Sequence, residues 1–305
     1  MRVSNLQTAY VVHPDNVEQA KSTIDVSVAV VARPDAYIRQ ADVELIVIET
    51  DRGVHLRCYL AEHNNIRFVI VYGRFDRVRS PAREIDFSKT QAALNMLGIR
   101  TLIGTFVVGA ISQEDHAGTV VIPDDFIGLG NYSDESWKDR PEGFRNVEMF
   151  SPFCTEARRA LTNQVHVIDE TVHTDGTYVC FHGWPRIETV AELKHYSNLG
   201  GKVIGQTLDP EATLARQFGM HYAALAVMMD DFRVRELFRS DYREGAATLS
   251  RNIVEGRRKT FELFLAALPD LASIGHVSCG CGQHVNVKRQ ASRNFYYRPP
   301  KFIVD

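Results

Sequence analysis

Residues 176–231 read GTYVCFHGWPRIETVAELKHYSNLGGKVIGQTLDPEATLARQFGMHYAALAVMMDD, and this stretch decides the fold class. By its hydrophobic pattern it alternates strand, helix, strand, helix and strand. The predicted elements are, in order, 177–181, 187–199, 202–205, 210–219 and 222–229. A continuous apolar run such as 222–229, placed between helices, is typical of a strand that is buried on both faces of an α/β sheet.

Two carboxylates, Asp230 and Asp231, close this last strand. Ligands of open α/β sheets bind beyond the carboxyl ends of the strands, so both residues are candidates for chemistry. The alternative is that they cap the next element and face solvent. The pattern alone leaves both interpretations open.

Several short blocks of the stretch occur together in a characteristic order. They are Gly176-Thr177-Tyr178-Val179, Gly183 with Pro185-Arg186, Ala191-Glu192, Gly201-Lys202-Val203-Ile204, Thr207, Pro210-Glu211, Leu214-Ala215 and Asp230. In this order and spacing they resemble the 5′-methylthioadenosine phosphorylase and purine nucleoside phosphorylase family. The residues 117–127 and 153–161 resemble further blocks of that family, and the resemblance extends from about residue 25 to residue 281.

The resemblance implies one α/β domain with a central mixed, partly barrel-like sheet flanked by helices. We therefore expect a lead-in over residues 1–24, without firm periodicity and irregular or partly helical, a nucleoside phosphorylase-like domain over 25–283, and a C-terminal arm over 284–305. Outside the central stretch, strands are predicted at 25–31, 43–49, 54–60, 67–72 and 101–108, and helices at 84–97 and 246–265. Residues 128–150 are predicted to form a long loop, and 236–242 a lid-like connection.

Composition limits the classes of protein to consider. The 305 residues are 45% hydrophobic and 24% charged, as in ordinary globular proteins, and the net charge of −3 gives no argument for nucleic-acid binding. No apolar run reaches transmembrane length, and the N-terminus lacks the layout of a signal peptide. We expect a cytoplasmic protein with neither a membrane nor a nucleic-acid partner.

The five cysteines are too few, and odd in number, for a disulfide framework. Three lie in apolar surroundings and are predicted to be buried thiols, namely Cys58, Cys154 and Cys180. Cys279 and Cys281 are closely spaced, and His276 and His284 could extend them to an H-x2-C-x-C-x2-H metal site. That spacing is tighter than in structural zinc sites, so we expect no metal. Some members of the resembled family carry a similar C-x-C, which favours a local structural or redox role.

The resemblance also implies an activity. Such enzymes cleave the N-glycosidic bond of a purine nucleoside and transfer the ribosyl group to phosphate, without a cofactor other than inorganic phosphate as a possible co-substrate. Asp230 would help the departing base accept a proton at N7. The implied substrate contacts are Phe181, Ile187, Glu188, Gln206, Thr207, Asp231, Phe232, Val108 and Gly109. Adenine-preferring members carry an aspartate at the position of Phe232, so a preference for adenine is not implied. The family assembles as homotrimers or hexamers.

The phosphate-binding elements of the family are altered here. Its glycine-rich turn is replaced by Ala32-Arg33-Pro34-Asp35, which offers neither a glycine nor a hydroxyl group. Its arginine–histidine pair becomes Arg74 and Phe75, and its phosphate-binding threonine becomes Phe106. Guanidinium groups bind anions well, so we expect any anion to be held by a different set. The candidates are Arg74, Arg77, Arg79 and Thr105.

Three hypotheses follow. The chain is a phosphorylase with a rebuilt phosphate site, a phosphate-independent nucleosidase or other nucleoside- or nucleotide-processing enzyme, or a non-catalytic binding or assembly protein. The simultaneous change of three anion-binding elements argues against an ordinary phosphorylase. The retention of Asp230 and Arg74 argues against complete loss of the site.

Overall fold

A computed structural model of the chain describes residues 8–49, 55–72, 87–129, 147–168, 171–181, 186–274, 279 and 281. Its strands are β1 (Thr8–Val12), β2 (Val28–Ala32), β3 (Glu44–Glu49), β4 (His55–His63), β5 (Ile66–Tyr72), β6 (Thr101–Ala110), β7 (Val120–Val121), β8 (Asp125–Gly128), β9 (Val172–His173), β10 (Thr177–Cys180), β11 (Gly201–Gly205) and β12 (His221–Asp230). Its helices are α1 (Val17–Ile24), α2 (Asp35–Gln40), α3 (Phe87–Met96), α4 (Thr155–Thr162), α5 (Val190–Asn198), α6 (Leu208–Gln217), α7 (Phe232–Ser240) and α8 (Tyr242–Ser273), with 3-10 turns at Pro14–Asn16 and Val165–Val167.

The twelve strands of the described residues join one mixed sheet, whose main path has the order β1-β3-β4-β5-β2-β6-β11-β10-β8. Strand β6 is the branch point of this sheet. It runs parallel to β12 over most of its length and parallel to β2 over its first four residues, and its carboxyl end also pairs antiparallel with β11. The predicted α/β domain with a mixed sheet flanked by helices is confirmed.

Strand β12 lies at the centre of the core and is buried on both faces. Its alternate residues enter two hydrophobic cores, since Met228 packs on the side of α3 and α6 and Val227 on the side of α8. Helix α8 approaches β12 closely at Gly256, where a Cβ atom would lie 2.6 Å from Val227 Cγ1. The continuous apolar run of the sequence therefore reflects the burial of β12 on both faces, as its pattern predicted.

The structure differs from the sequence-based expectation in two segments. Residues 236–242 do not form a lid-like connection, because helix α7 occupies Phe232–Ser240 and α8 begins at Tyr242. Within the predicted lead-in, α1 agrees with a partly helical segment, whereas β1 was not predicted and pairs with β3 as a strand of the sheet. The proposed C-terminal arm, 284–305, lies outside the described residues.

None of the helices in the described part of the chain combines the length and the apolar character that a membrane crossing requires.

Candidate active site

Asp230 lies at the carboxyl end of β12, where a β-bulge changes its register against β6. Met228 is paired with Val108, but the next pair is Asp230 with Gly109, so that Met229 is an extra residue. Such a bulge bends a strand and redirects the side chains that follow it. A Cβ atom at Gly109 would lie 3.0 Å from Asp230 Oδ1 and 2.7 Å from Arg235 Nη2. Gly109 therefore leaves the space into which the two side chains fit.

Arg235 connects two carboxylates at this position. Its Nη2 donates to Asp230 Oδ1 at 2.9 Å and lies 3.4 Å from Glu188 Oε1. The guanidinium also lies 5.5 Å from the centroid of the Phe232 ring. The three charged side chains are only 10–20% exposed. Arg235 Nη1 is buried and has no hydrogen-bond partner among the described residues, so the trio retains one donor for a ligand.

The environment of Asp230 changes its acidity. Burial raises the pKa of Asp230 to about 6, the negative charges of Glu188 and Asp231 act in the same direction, and the ion pair with Arg235 opposes them. A carboxyl group of this pKa exchanges a proton with a substrate near neutral pH, which an ordinary surface aspartate cannot do. The site therefore contains a group suited to general acid catalysis.

Sequence reasoning did not find Arg235. It lies on α7, whose sequence FRVRELFRS contains three arginines at spacings that give no reason to prefer one. The backbone N–H of Arg235 donates to the carbonyl of Asp231 at 3.0 Å, which places it in the first turn of the helix that starts beside Asp230. An arginine in the first turn after a strand-ending aspartate was the only available signal.

Asp231 caps helix α7. Its Oδ1 accepts hydrogen bonds from the backbone N–H groups of Arg233 and Val234, both at 2.9 Å, and its Oδ2 accepts one from Ala117 at 3.1 Å. This is the capping alternative considered from the sequence, although the side chain is buried and does not face solvent. Because both oxygens are engaged by the backbone, we do not include Asp231 among the groups that contact a ligand.

The other predicted substrate contacts lie in several environments. Phe181 is buried directly after β10, and the Arg186 guanidinium lies 5.0 Å from its ring centroid. Val108 is fully buried in the core, so its side chain cannot contact a ligand without rearrangement, whereas Ile187 is 69% exposed. The half-buried Gln206 and Thr207 follow β11. Of the predicted set, the structure brings Glu188, Phe232 and Gly109 together with Asp230.

Of the four predicted anion-binding residues, the structure describes only Thr105. The hydroxyl group of Thr105 donates to the carbonyl oxygen of Val31 at 2.8 Å, and thus holds β6 to β2. Phe106 is buried and its ring packs edge-on against Tyr178, with 5.5 Å between ring centroids. The remaining candidates, Arg74, Arg77 and Arg79, lie outside the described residues.

Two other arginines lie near the carboxyl end of β2. The Arg33 guanidinium is 5.8 Å from the centroid of the Tyr72 ring, and the Tyr72 hydroxyl donates to the Asp35 carboxylate. Burial, followed by the positive charge of Arg33, lowers the pKa of Arg257. Since Val31 is paired with Gly104, the register places Arg33 level with Phe106, about 10 Å before Gly109 along the sheet.

Comparisons with known proteins agree with this architecture. The family model described as the phosphorylase superfamily matches residues 59–255. A 6-oxopurine nucleoside phosphorylase of Pyrococcus furiosus is 33% identical over 210 residues, which cover 66% of this chain and 76% of that protein. An S-methyl-5′-thioadenosine phosphorylase of Nitrosopumilus maritimus is 31% identical over 203 residues, covering 67% and 74% of the two chains.

A solved structure gives the same result for the fold. The crystal structure of a methylthioadenosine phosphorylase from an antarctic soil metagenomic library superposes with a TM-score of 0.72 at 24% identity, covering 85% of this chain and 90% of that one. The match of the family model extends over well over half of the chain and includes β12, the bulge and α7. By descent as well as by fold, the chain belongs to the phosphorylase superfamily.

Proposed function

We propose that the chain cleaves the N-glycosidic bond of a purine nucleoside or 5′-modified nucleoside and transfers the ribosyl group to inorganic phosphate. The observation that carries this proposal is Asp230, a buried carboxyl group with its pKa raised to about 6, which a bulge directs towards Arg235 and Glu188. The names of the relatives, all nucleoside phosphorylases, support the same reaction class.

The reaction needs an acid for the leaving base. When the bond between the base and the anomeric carbon breaks, its electron pair moves into the purine, and protonated Asp230 donates its proton at N7. Phosphate forms the new bond to the anomeric carbon, which gives a ribose 1-phosphate. With a pKa of about 6, roughly a tenth of the Asp230 side chains carry the proton at pH 7. This fraction is sufficient for turnover because proton exchange is fast.

The trio also suggests which base is bound. Arg235 Nη1 offers a donor, and Glu188 offers acceptors, so the pair complements a purine that presents a carbonyl oxygen beside a ring N–H. Those are the groups of a 6-oxopurine. Phe232, at the position where adenine-preferring members carry an aspartate, provides no acceptor for the amino group of adenine. We therefore propose a preference for inosine-like over adenosine-like substrates.

Phosphate would be received at the carboxyl end of β2. Arg33 lies there about 10 Å before Gly109, and Arg257 lies close enough that the positive charge of Arg33 lowers its pKa. Two guanidinium groups can bind an oxyanion through several charge-assisted hydrogen bonds. This arrangement would replace the glycine-rich turn that the sequence lacks.

A second candidate is a phosphate-independent nucleosidase, in which water attacks the anomeric carbon. One observation favours it: two residues at the positions of the family's phosphate-binding elements make contacts within the protein instead. Phe106 is buried against Tyr178, and the Thr105 hydroxyl donates to the carbonyl of Val31. The arginines would then bind an anionic group of the substrate.

The test is a turnover assay with inosine, adenosine and their 5′-methylthio derivatives, with and without phosphate. Our proposal expects cleavage only with phosphate, with ribose 1-phosphate or its 5′-methylthio analogue as product, and faster turnover of the 6-oxopurine member of each pair. Turnover that is unchanged in phosphate-free buffer and yields the free sugar would establish the nucleosidase. If no member of the panel is cleaved, while one of them raises the melting temperature, the chain is a binding protein.

Assembly as a trimer or hexamer, which the family resemblance implies, stays a prediction.

A further inference from the structure

Three cysteines and a histidine converge at the end of β12 that is remote from Asp230. Cys154 directly precedes α4, His221 begins β12, and Cys279 and Cys281 follow the end of α8. One ligand atom from each lies within 4.8 Å of the others. Cys154 and Cys279 are 125 residues apart in the chain, and His221 and Cys279 are 58 apart, so the cluster is a product of the fold.

The distances agree with those between the ligands of a tetrahedral metal ion. With Zn–S bonds of about 2.3 Å and Zn–N bonds of about 2.0 Å, neighbouring ligand atoms lie about 3.8 Å apart for two sulfurs and about 3.5 Å apart for sulfur and nitrogen. Cys154 Sγ lies 3.7 Å from Cys279 Sγ and 3.5 Å from His221 Nδ1. The separation of 2.9 Å between Cys279 Sγ and His221 Nδ1 would have to lengthen by about 0.6 Å, and Cys281 Sγ lies within 4.8 Å of the other three ligand atoms.

The site is also preorganised. The backbone N–H of Cys154 donates to the carbonyl of Tyr222 at 2.7 Å, and that of His221 donates to the carbonyl of Arg100 at 2.7 Å. Both residues are therefore fixed to the sheet. Cys154, His221 and Cys281 are at most 9% exposed, whereas Cys279 is partly exposed and leaves a route for the ion.

We propose that Cys154, His221, Cys279 and Cys281 bind one Zn²⁺ ion, which fastens the segment after α8 to the sheet. Three thiolates and one imidazole form a donor set that is common in structural zinc sites, and the three thiols release their protons to solvent as the ion binds. A disulfide would join only two of the three sulfurs and leave the imidazole unused. The proposal reverses our expectation from the sequence, which considered His276 and His284 as ligands; both lie outside the described residues.

The ion would not take part in the reaction. His221 lies nine positions before Asp230 in the extended strand, which corresponds to about 30 Å. Its effect would be on stability, because a metal that binds only the folded chain shifts the equilibrium towards it. The metal site and the proposed activity can therefore fail or succeed independently of each other.

The experiment measures metal content by elemental analysis of the full chain, expressed in zinc-supplemented medium and purified under reducing conditions. We expect about one zinc per chain. We also expect that Co²⁺, added after removal of zinc with a chelator, gives the intense sulfur-to-cobalt absorption of a tetrahedral thiolate site. Removing the metal should lower the melting temperature, and adding Zn²⁺ should restore it.

Two variants decide the assignment. Cys279→Ala removes the most exposed ligand and should lose the metal and the cobalt spectrum while far-ultraviolet circular dichroism shows a folded chain. Cys58→Ala removes a buried thiol outside the cluster and should retain the metal. The proposal is overturned if the wild-type chain binds less than about a tenth of an equivalent of zinc, if Cys279→Ala retains it, or if thiol counting in denaturant finds a disulfide among the three cysteines.

Discussion

The two ends of the proposed active site are built in different ways. At the base end, the bulge of β12, Gly109 and the trio of Asp230, Arg235 and Glu188 form a compact buried arrangement. At the proposed anion end, the Thr105 hydroxyl holds two strands together, and Arg33 stands where the family resemblance implies a glycine-rich turn.

The difference has a chemical reason. A leaving-group acid must have a particular pKa at a particular point, which requires burial, neighbouring charges and backbone geometry together. An oxyanion needs only positive charge and donors, which arginines on other elements can supply. The anion end can therefore change during evolution while the base end keeps its geometry.

The largest effect is expected at the base end, for Asp230→Asn. Without the acid, turnover should fall by about 10²–10⁴-fold, as is usual for loss of general acid catalysis. Glu236→Gln, on the exposed face of the following helix α7, is the control and should leave turnover unchanged. Steady-state kinetics on the best substrate of the panel measures both. Equal activity of Asp230→Asn and the wild type would remove Asp230 from the mechanism.

The same variant tests the cause of the raised pKa. The folded-state pKa of Asp230, about 6, lies above the ordinary value of 3.8, so the folded chain binds more protons between these values. The wild type should therefore lose stability relative to Asp230→Asn as the pH rises from about 4 to about 6, by up to about 3 kcal/mol. Urea unfolding of both proteins across this range measures the difference. If the free energies of unfolding of the two proteins differ by the same amount at every pH in this range, Asp230 is not desolvated in the folded chain.

An intermediate effect is expected for Arg235→Met. The ion pair with Arg235 lowers the pKa of Asp230, so its loss should raise that pKa by about one unit or more and move the pH dependence of kcat upwards. Arg235→Lys keeps the positive charge and should restore the wild-type profile in large part. Arg239→Met, at the exposed end of α7, is the control. A purely structural role of Arg235 would lower kcat without moving the pH profile.

The central strand and its terminal aspartate could be predicted from the sequence because a strand buried on both faces has a continuous apolar run, which polar groups close. The role of Arg235 could not, since its only local signal, a position in the first turn of α7, is shared by Arg233. Residues 236–242 were wrongly interpreted as a lid-like connection. Asp231 and Asp241 each accept backbone hydrogen bonds at the start of a helix. Two helices therefore follow each other directly in the segment that was expected to be irregular.

The cysteine cluster shows a different limit of sequence reasoning. The C-x-C pair was visible, but its partners, Cys154 and His221, come from segments that only the packing of α4 and α8 against β12 brings together. Local spacing suggested His276 and His284 as partners instead, and both lie outside the described residues. Long-range pairings of this kind depend on tertiary structure, which no local pattern contains.

The smallest effect is expected at the anion end, for Thr105→Val. The Thr105 hydroxyl donates its proton to the carbonyl of Val31, so an anion, which needs donors, gains little from it. Valine has nearly the same shape, and the lost hydrogen bond should cost about 1 kcal/mol of stability while the KM for phosphate stays within about twofold. Arg33→Met is the comparison, and it should raise that KM about tenfold or more, since it removes a guanidinium group from the proposed anion site. A large increase in the KM for phosphate in Thr105→Val, with no increase in Arg33→Met, would place the phosphate beside Thr105 on β6. Thr105 was one of the candidates from the sequence, and the anion end would then resemble the family more closely than its arginines indicate.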